Sequence, residues 1–190
     1  MKDILRVIIN GYSDTIVEVQ NQDMATYKCN HKFMSSKFVL NAANKIKEII
    51  NDEDVHVFSR GIEKYEHFKL SEYLYDIHVC KMNKFKSVNN HEVNYVEKSL
   101  VQIESEFSNN SKDVSADFSK LVCGNADLKV MIVKRVQNEE SFRNSFLDIA
   151  KNISGKLYLI QLEHPENWRV CSPLDYKVFR YDNKWEVVEL

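Results

Sequence analysis

The sequence predicts an α/β fold, a central mixed β-sheet flanked by helices, and three observations carry that expectation. Two near-continuous apolar runs, LKVMIV at residues 128–133 and KLYLIQL at 156–162, have the character of strands covered on both faces. Helical periodicity fills the segments before and between them, at about 113–122 and 139–152, which is the strand-helix alternation of an α/β sheet. Upstream, EYLYDIHVCKM at 72–82 and VQIESEF at 101–107 alternate with period two.

The elements follow in order. Ser35 and Ser36 are placed to cap a helix from about Lys37 to Ile50, whose Phe38, Ala42, Ile46 and Ile49 form one apolar stripe. The acidic run Asn51-Asp52-Glu53-Asp54 ends it, and VHVF at 55–58 predicts a short strand closed by Arg60-Gly61. Residues 72–82 form the next strand, with Asp76 set among aromatic and apolar neighbours, and residues 87–98 read as a polar loop. The strand around Glu104 and Glu106 comes next, followed by a helix that turns Val114, Phe118 and Leu121 inward. Asn138 caps the last predicted helix, with Glu139 and Glu140 in its first turn, and Gly155 stops it. A short C-terminal β tail turns at Ser172-Pro173 and Asp182-Asn183. Val130, Ile132, Leu159 and Phe118 are expected in the core.

The 190 residues suit a single domain, with 44% apolar and 28% charged residues, four Gly and two Pro leaving no linker or low-complexity tract. A formal charge of −2 provides no global basic field, so nucleic-acid binding would depend on local patches or on cations that offset carboxylates. The opening segment KDILRVIINGYSD has too short and interrupted an apolar part to span a membrane and lacks a cleavage region, which sets the expectation of a cytoplasmic protein with no membrane partner. Cys29, Cys80, Cys123 and Cys171 are scattered, as reduced thiols are; Cys29 and His31 lack a second Cys/His pair at zinc-site spacing. There is no Gly-rich phosphate loop, G-x-S-x-G elbow or H-E-x-x-H.

The anomaly is acidic. In the 101–107 strand, Val101, Ile103 and Phe107 point one way while Gln102, Glu104 and Glu106 point the other. Two carboxylates on one face repel and resist burial, so they require solvent, basic groups or a divalent cation. Asp76 lies in the preceding strand, and consecutive strands commonly pair. Converging there, the acids would make a hard oxygen site suited to Mg²⁺ or Mn²⁺; a solvated strand face is the alternative. His78 shares the face of Asp76 as a structural residue or a helper, and Lys81, Lys84 and Lys86, with Phe85 interleaved, form either a phosphate-tracking patch or a solvated turn. Lys120 joins Asp113 and Asp117 in a polar stripe, as a partner for Asp117 or as a catalytic lysine.

An acid in one strand, E-x-E in the next, then a helix and a buried strand: this order resembles the PD-(D/E)XK superfamily of restriction-endonuclease-like nucleases. YLYDI (73–77), the ESE triplet (104–106), DFSKL (117–121) and DLKVMI (127–132) further resemble a group of uncharacterised bacterial proteins with that predicted fold. The resemblance spans about 37–162. It implies a restriction-endonuclease-like fold, Asp76 and Glu104 as metal ligands for Mg²⁺ or Mn²⁺, Glu106 where Lys is usual, Lys120 as a migrated lysine, and cleavage of DNA. The usual Pro before the first acid is replaced by Tyr75. Cutting a duplex requires two strands to be cut, so a two-fold homodimer is an accompanying expectation. The rival reading is a non-catalytic nuclease-fold module for nucleic-acid or protein interaction.

Overall fold

Every strand-forming segment falls into one sheet in chain order. In the computed structural model, which describes residues 2–22 and 31–190, the strands are β1 (Val55–Ser59), β2 (Ile77–Lys86), β3 (Glu92–Glu106), β4 (Leu128–Lys134), β5 (Lys156–Leu162), β6 (Tyr176–Tyr181) and β7 (Trp185–Val187). They form a seven-stranded sheet ordered β1-β2-β3-β4-β5-β6-β7. β3, β4 and β5 run parallel and the outer pairs antiparallel, which makes the sheet mixed. Parallel neighbours need crossovers, supplied by α3 (Ser111–Cys123) between β3 and β4 and by α4 (Glu139–Ser145) with α5 (Leu147–Ala150) between β4 and β5.

Helices cover both faces. α1 (Lys2–Gln20) and α2 (His31–Ile49) pack Leu5, Ile8, Tyr12, Phe38, Ala42 and Ile46 onto Val57, Ile77, Val79, Ile103, Val130 and Ile132. On the other face Val114, Phe118 and Leu121 of α3 meet Met131, Leu157, Leu159 and Phe179. Trp168, fully buried, makes edge contacts with Tyr12, Phe38 and Phe107 and donates its indole N–H to the Glu163 carbonyl at 2.7 Å. The expected core residues Val130, Ile132, Leu159 and Phe118 are all buried.

Gly11 sets the distance between α1 and α2. A Cβ there would lie 2.8 Å from both N and Cα of Ala42, a backbone clash. An exposed helical Gly→Ala change gains up to about 1 kcal/mol in helix propensity, whereas overpacking costs about 1–3 kcal/mol. Gly11→Ala should therefore be destabilising by about 1 kcal/mol net, seen as a lower urea midpoint with unchanged slope.

The boundaries differ from the sequence expectation in five places. α1 occupies the opening segment, for which the sequence reading assigns no element. α2 begins at His31, so Ser35 and Ser36 lie inside it rather than capping it; Ser35 Oγ instead donates to the Lys32 carbonyl at 3.1 Å. Cys29 falls outside the described residues. The polar 87–98 stretch is mostly strand: only Ser87–His91 turns, with Asn90 at φ 63, and Glu92 to Lys98 pair with β2. Conversely residues 72–76 precede β2, and the last predicted helix breaks at Phe146 into α4 and α5. Asn138 does cap α4, accepting from Ser141 N–H at 3.1 Å.

Candidate active site

Ile77 of β2 pairs with Ile103 of β3, so Asp76 arrives beside the C-terminal end of β3, where the two glutamates lie. Its main chain is pinned by Ser59, whose hydroxyl donates to the Asp76 carbonyl at 2.7 Å. Its carboxylate Oδ2 accepts from Ser105 N–H at 2.8 Å and from Ser105 Oγ at 2.7 Å. Ser105, the middle of the ESE triplet, is thus the partner of Asp76, a role that period-two reasoning assigned to neither face's chemistry. Burial pushes the Asp76 carboxyl up, and the two Ser105 hydrogen bonds pull against it.

Glu104 pairs in register with Met131, which places it on the face covered by α3. It is 1% exposed, and Oε1 has no hydrogen-bond partner among the described residues. Oε2 accepts from Lys120 Nζ at 3.2 Å, and the same ammonium reaches Asp117 Oδ1 at 2.7 Å. Burial first, then the negative field of Asp76, push the Glu104 carboxyl up to about 8, with Lys120 only partly offsetting them. Lys120 is half-exposed; burial works against its charge, but the hydrogen bonds to Asp117 and Glu104 outweigh it and keep the ammonium protonated. Lys120 is thus the partner of Asp117 that the polar stripe allows, and it reaches Glu104 as well. Tyr75, standing where the resembled motif has Pro, packs in the α3 cluster and donates its hydroxyl to the Lys120 carbonyl at 3.4 Å.

Glu106 Oε1 accepts from Ser108 N–H at 2.6 Å. Burial raises its pKa, the Ser108 bond lowers it, and Asp117 and Asp113 on α3 raise it again. Asp76, Ser105 and Glu106 line a cavity of about 1150 Å³ between α2 and the 107–110 loop. Glu104 and Lys120 are not part of its lining; they lie under and beside α3. The four residues expected from the sequence are therefore one electrostatic neighbourhood in which Asp76 and Glu106 face the cavity and Glu104 pairs with Lys120.

The donor set is hard carboxylate oxygen, and the unpaired Glu104 Oε1 is a buried acceptor lacking a donor or a cation. Among the described residues no three His, Cys, Asp or Glu side chains are already gathered as a metal cage. Mg²⁺ needs less than a cage, commonly taking one or two carboxylates with water and substrate phosphate completing its shell. The residues fit such an ion by chemistry.

Two buried polar groups nearby have structural work. His78 Nδ1 must donate to the Tyr73 carbonyl at 3.1 Å, so Nε2 accepts from Ser99 Oγ at 2.7 Å, and Ser99 in turn accepts from Gln102 Nε2 at 3.0 Å. Burial lowers the His78 pKa to about 4, the Tyr73 bond opposing it. Because the unfolded histidine protonates near 6.5, stability should fall as pH drops from 6.5 to about 4, by on the order of 3 kcal/mol, and level off below. His78→Gln should flatten that stretch of a denaturation-against-pH series. Lys129, fully buried in β4, was hidden inside the apolar LKVMIV run. Its Nζ donates to the Gly124 carbonyl at 2.7 Å and to Ser154 Oγ at 3.1 Å, and burial lowers its pKa.

The fold and site together define an α/β protein with a seven-stranded mixed sheet and a carboxylate cluster at the end of β3. In comparisons with protein families, curated proteins and solved structures, nothing matches this chain. No helix among the described residues is long and apolar enough to cross a membrane.

Proposed function

We propose that the protein is a divalent-metal-dependent phosphodiesterase of the restriction-endonuclease-like kind, acting on DNA. The observation that carries this reading is Glu104: a carboxylate 1% exposed, with one oxygen unpaired and the other on Lys120, at the position matching the second acid of the resembled motif. Burial opposes its ionisation, so a cation at the oxygen that Lys120 leaves open is what would favour the charged carboxylate here. Asp76 and Glu104 would hold Mg²⁺ or Mn²⁺, which when bound supplies charge neutralisation at the phosphate and a more acidic water. Ser105 fixes the Asp76 carboxylate, and Lys120 fixes Glu104 Oε2 while contributing a positive charge beside the cluster. Glu106, its pKa raised, is the group placed to accept a proton from water at the cavity wall.

Calorimetric titration with Mn²⁺ tests the assignment. Wild-type protein should bind the ion, Glu104→Ala should lose most of that affinity, and Ca²⁺ should bind without supporting turnover. Absence of Mn²⁺ affinity in the wild type would move the assignment to a non-catalytic interaction module.

A further inference from the structure

We infer that a second cavity, between the β1-β2-β3 ribbon and the 63–67 loop, binds an adenine nucleoside that carries no phosphate, with its base on Asn94 and its ribose at the carboxylates that lead into β1. The inference is independent of the phosphodiesterase reading, because Asp76, Glu104 and Glu106 are not part of this cavity's lining.

The cavity measures about 580 Å³, inside the range of about 300–1,000 Å³ typical of small-molecule sites. Asn94 of β3 lines it and is 8% exposed, yet its Nδ2 has no hydrogen-bond partner among the described residues. A buried amide N–H left unpaired is costly, so this wall lacks an acceptor. His56 Nε2, also on the lining, is likewise buried and unpaired. His56 pairs with Cys80 on one side of β2 and Asn94 with Lys84 on the other, so the two groups flank that strand. A ligand that meets both is extended and polar at each end, which a single ion is not.

Charge then excludes an anion. Glu63 is paired with Lys47 and Lys84 with Glu92, each at 3.5 Å, which leaves Glu53, Asp54 and Glu66 against Lys64 around the cavity. A bare cation is disfavoured at the Asn94 end, where the unpaired atom is a donor. A neutral edge with an acceptor beside a donor satisfies the amide, and adenine offers one in N7 and its N6 amine, the edge that asparagine takes bidentately. Met82 pairs with Val96, two residues from Asn94 on the same face, and packs with Tyr65, which supplies an apolar surface for the ring. Glu53 and Asp54 stand just before β1 at the His56 end, and carboxylates accept hydrogen bonds from ribose hydroxyls. Burial holds His56 below the usual histidine range, so its neutral ring can accept a hydroxyl at Nε2. A 5′-phosphate would meet the same carboxylates and be repelled.

Isothermal titration of the full chain at low salt with adenosine, AMP and ribose tests the proposal. Adenosine should bind at millimolar concentration or below, AMP about tenfold or more weakly, and ribose not detectably. Asn94→Leu removes an unpaired buried amide at similar volume, so it should keep or raise the melting midpoint while weakening adenosine about tenfold. Asn94→Asp, which keeps the shape and loses the donor, should weaken adenosine by a similar factor. Asp54→Asn should narrow the gap between adenosine and AMP. No adenosine binding, AMP or ribose binding as tightly as adenosine, or an unchanged adenosine affinity in whichever Asn94 variant is folded by circular dichroism would overturn the proposal. Adenosine binding without DNA cleavage in any metal would leave it standing while overturning the phosphodiesterase assignment; cleavage without adenosine binding would do the reverse.

Discussion

Glu104→Gln should make the metal-free protein more stable at pH 9 by roughly 2–4 kcal/mol and change it little at pH 4. In the unfolded chain Glu104 ionises near 4.5, whereas burial and Asp76 hold it protonated in the fold up to about 8. Each proton kept by the folded state and lost by the unfolded one lowers stability as pH rises, so the penalty grows from pH 4.5 to about 8 and is constant above. Glutamine removes the charge and keeps the shape; it also weakens the contact with Lys120, which is why the gain is smaller than the full shift implies. Mg²⁺ should narrow the gap, because an ion bound to the folded wild type stabilises it by mass action and has one ligand fewer in the variant. Urea denaturation of both proteins at the two pH values, with and without Mg²⁺, reads all of this.

Ile132→Asp should unfold the protein or cost at least about 4 kcal/mol. Ile132 is 1% exposed, on β4 between Ser105 of β3 and Ile160 of β5, in the cluster shared with α1 and α2. A carboxylate there would stand among buried apolar side chains. With total stabilities of about 5–15 kcal/mol, such a loss removes a large fraction of the fold's margin. An unchanged melting midpoint would contradict the placement of β4 at the centre of the sheet.

Periodicity made the centre of the fold legible and the periphery less so. LKVMIV and KLYLIQL have the character of strands covered on both faces, and β4 and β5 are flanked by strands and covered by helices on both sides. The Ile and Val content of α1 and its Gly11 weigh against helix propensity, while tertiary packing against α2 decides the matter. The first half of β3 reads as loop because its side chains are polar; residues 92–96 pair only with β2, in a ribbon beyond β1, where no core demands an apolar face.

At the site, alternation placed Glu104 and Glu106 on one face, and α3 carries Lys120 to Glu104. What the sequence could not show is which group meets which. Asp76 leaves the strand pattern one residue before β2 and bonds Ser105, on the opposite side of the alternation from the glutamates. The other residues that line the cavity with Asp76 and Glu106 come largely from α2, the turn after β1 and the segment around His164, far away in the chain. No local spacing encodes that juxtaposition.

Metal-dependent phosphodiester cleavage by the cluster at the end of β3, as proposed, is tested most directly by a cleavage assay on labelled single- and double-stranded DNA with Mg²⁺ or Mn²⁺ against chelator. Cutting should appear only with the metal, should vanish in Asp76→Ala and Glu104→Ala proteins that remain folded by circular dichroism, and should survive better in Glu106→Lys than in Glu106→Ala. Cleavage that persists in both alanine variants, or no cleavage by wild-type protein in either metal, would contradict it.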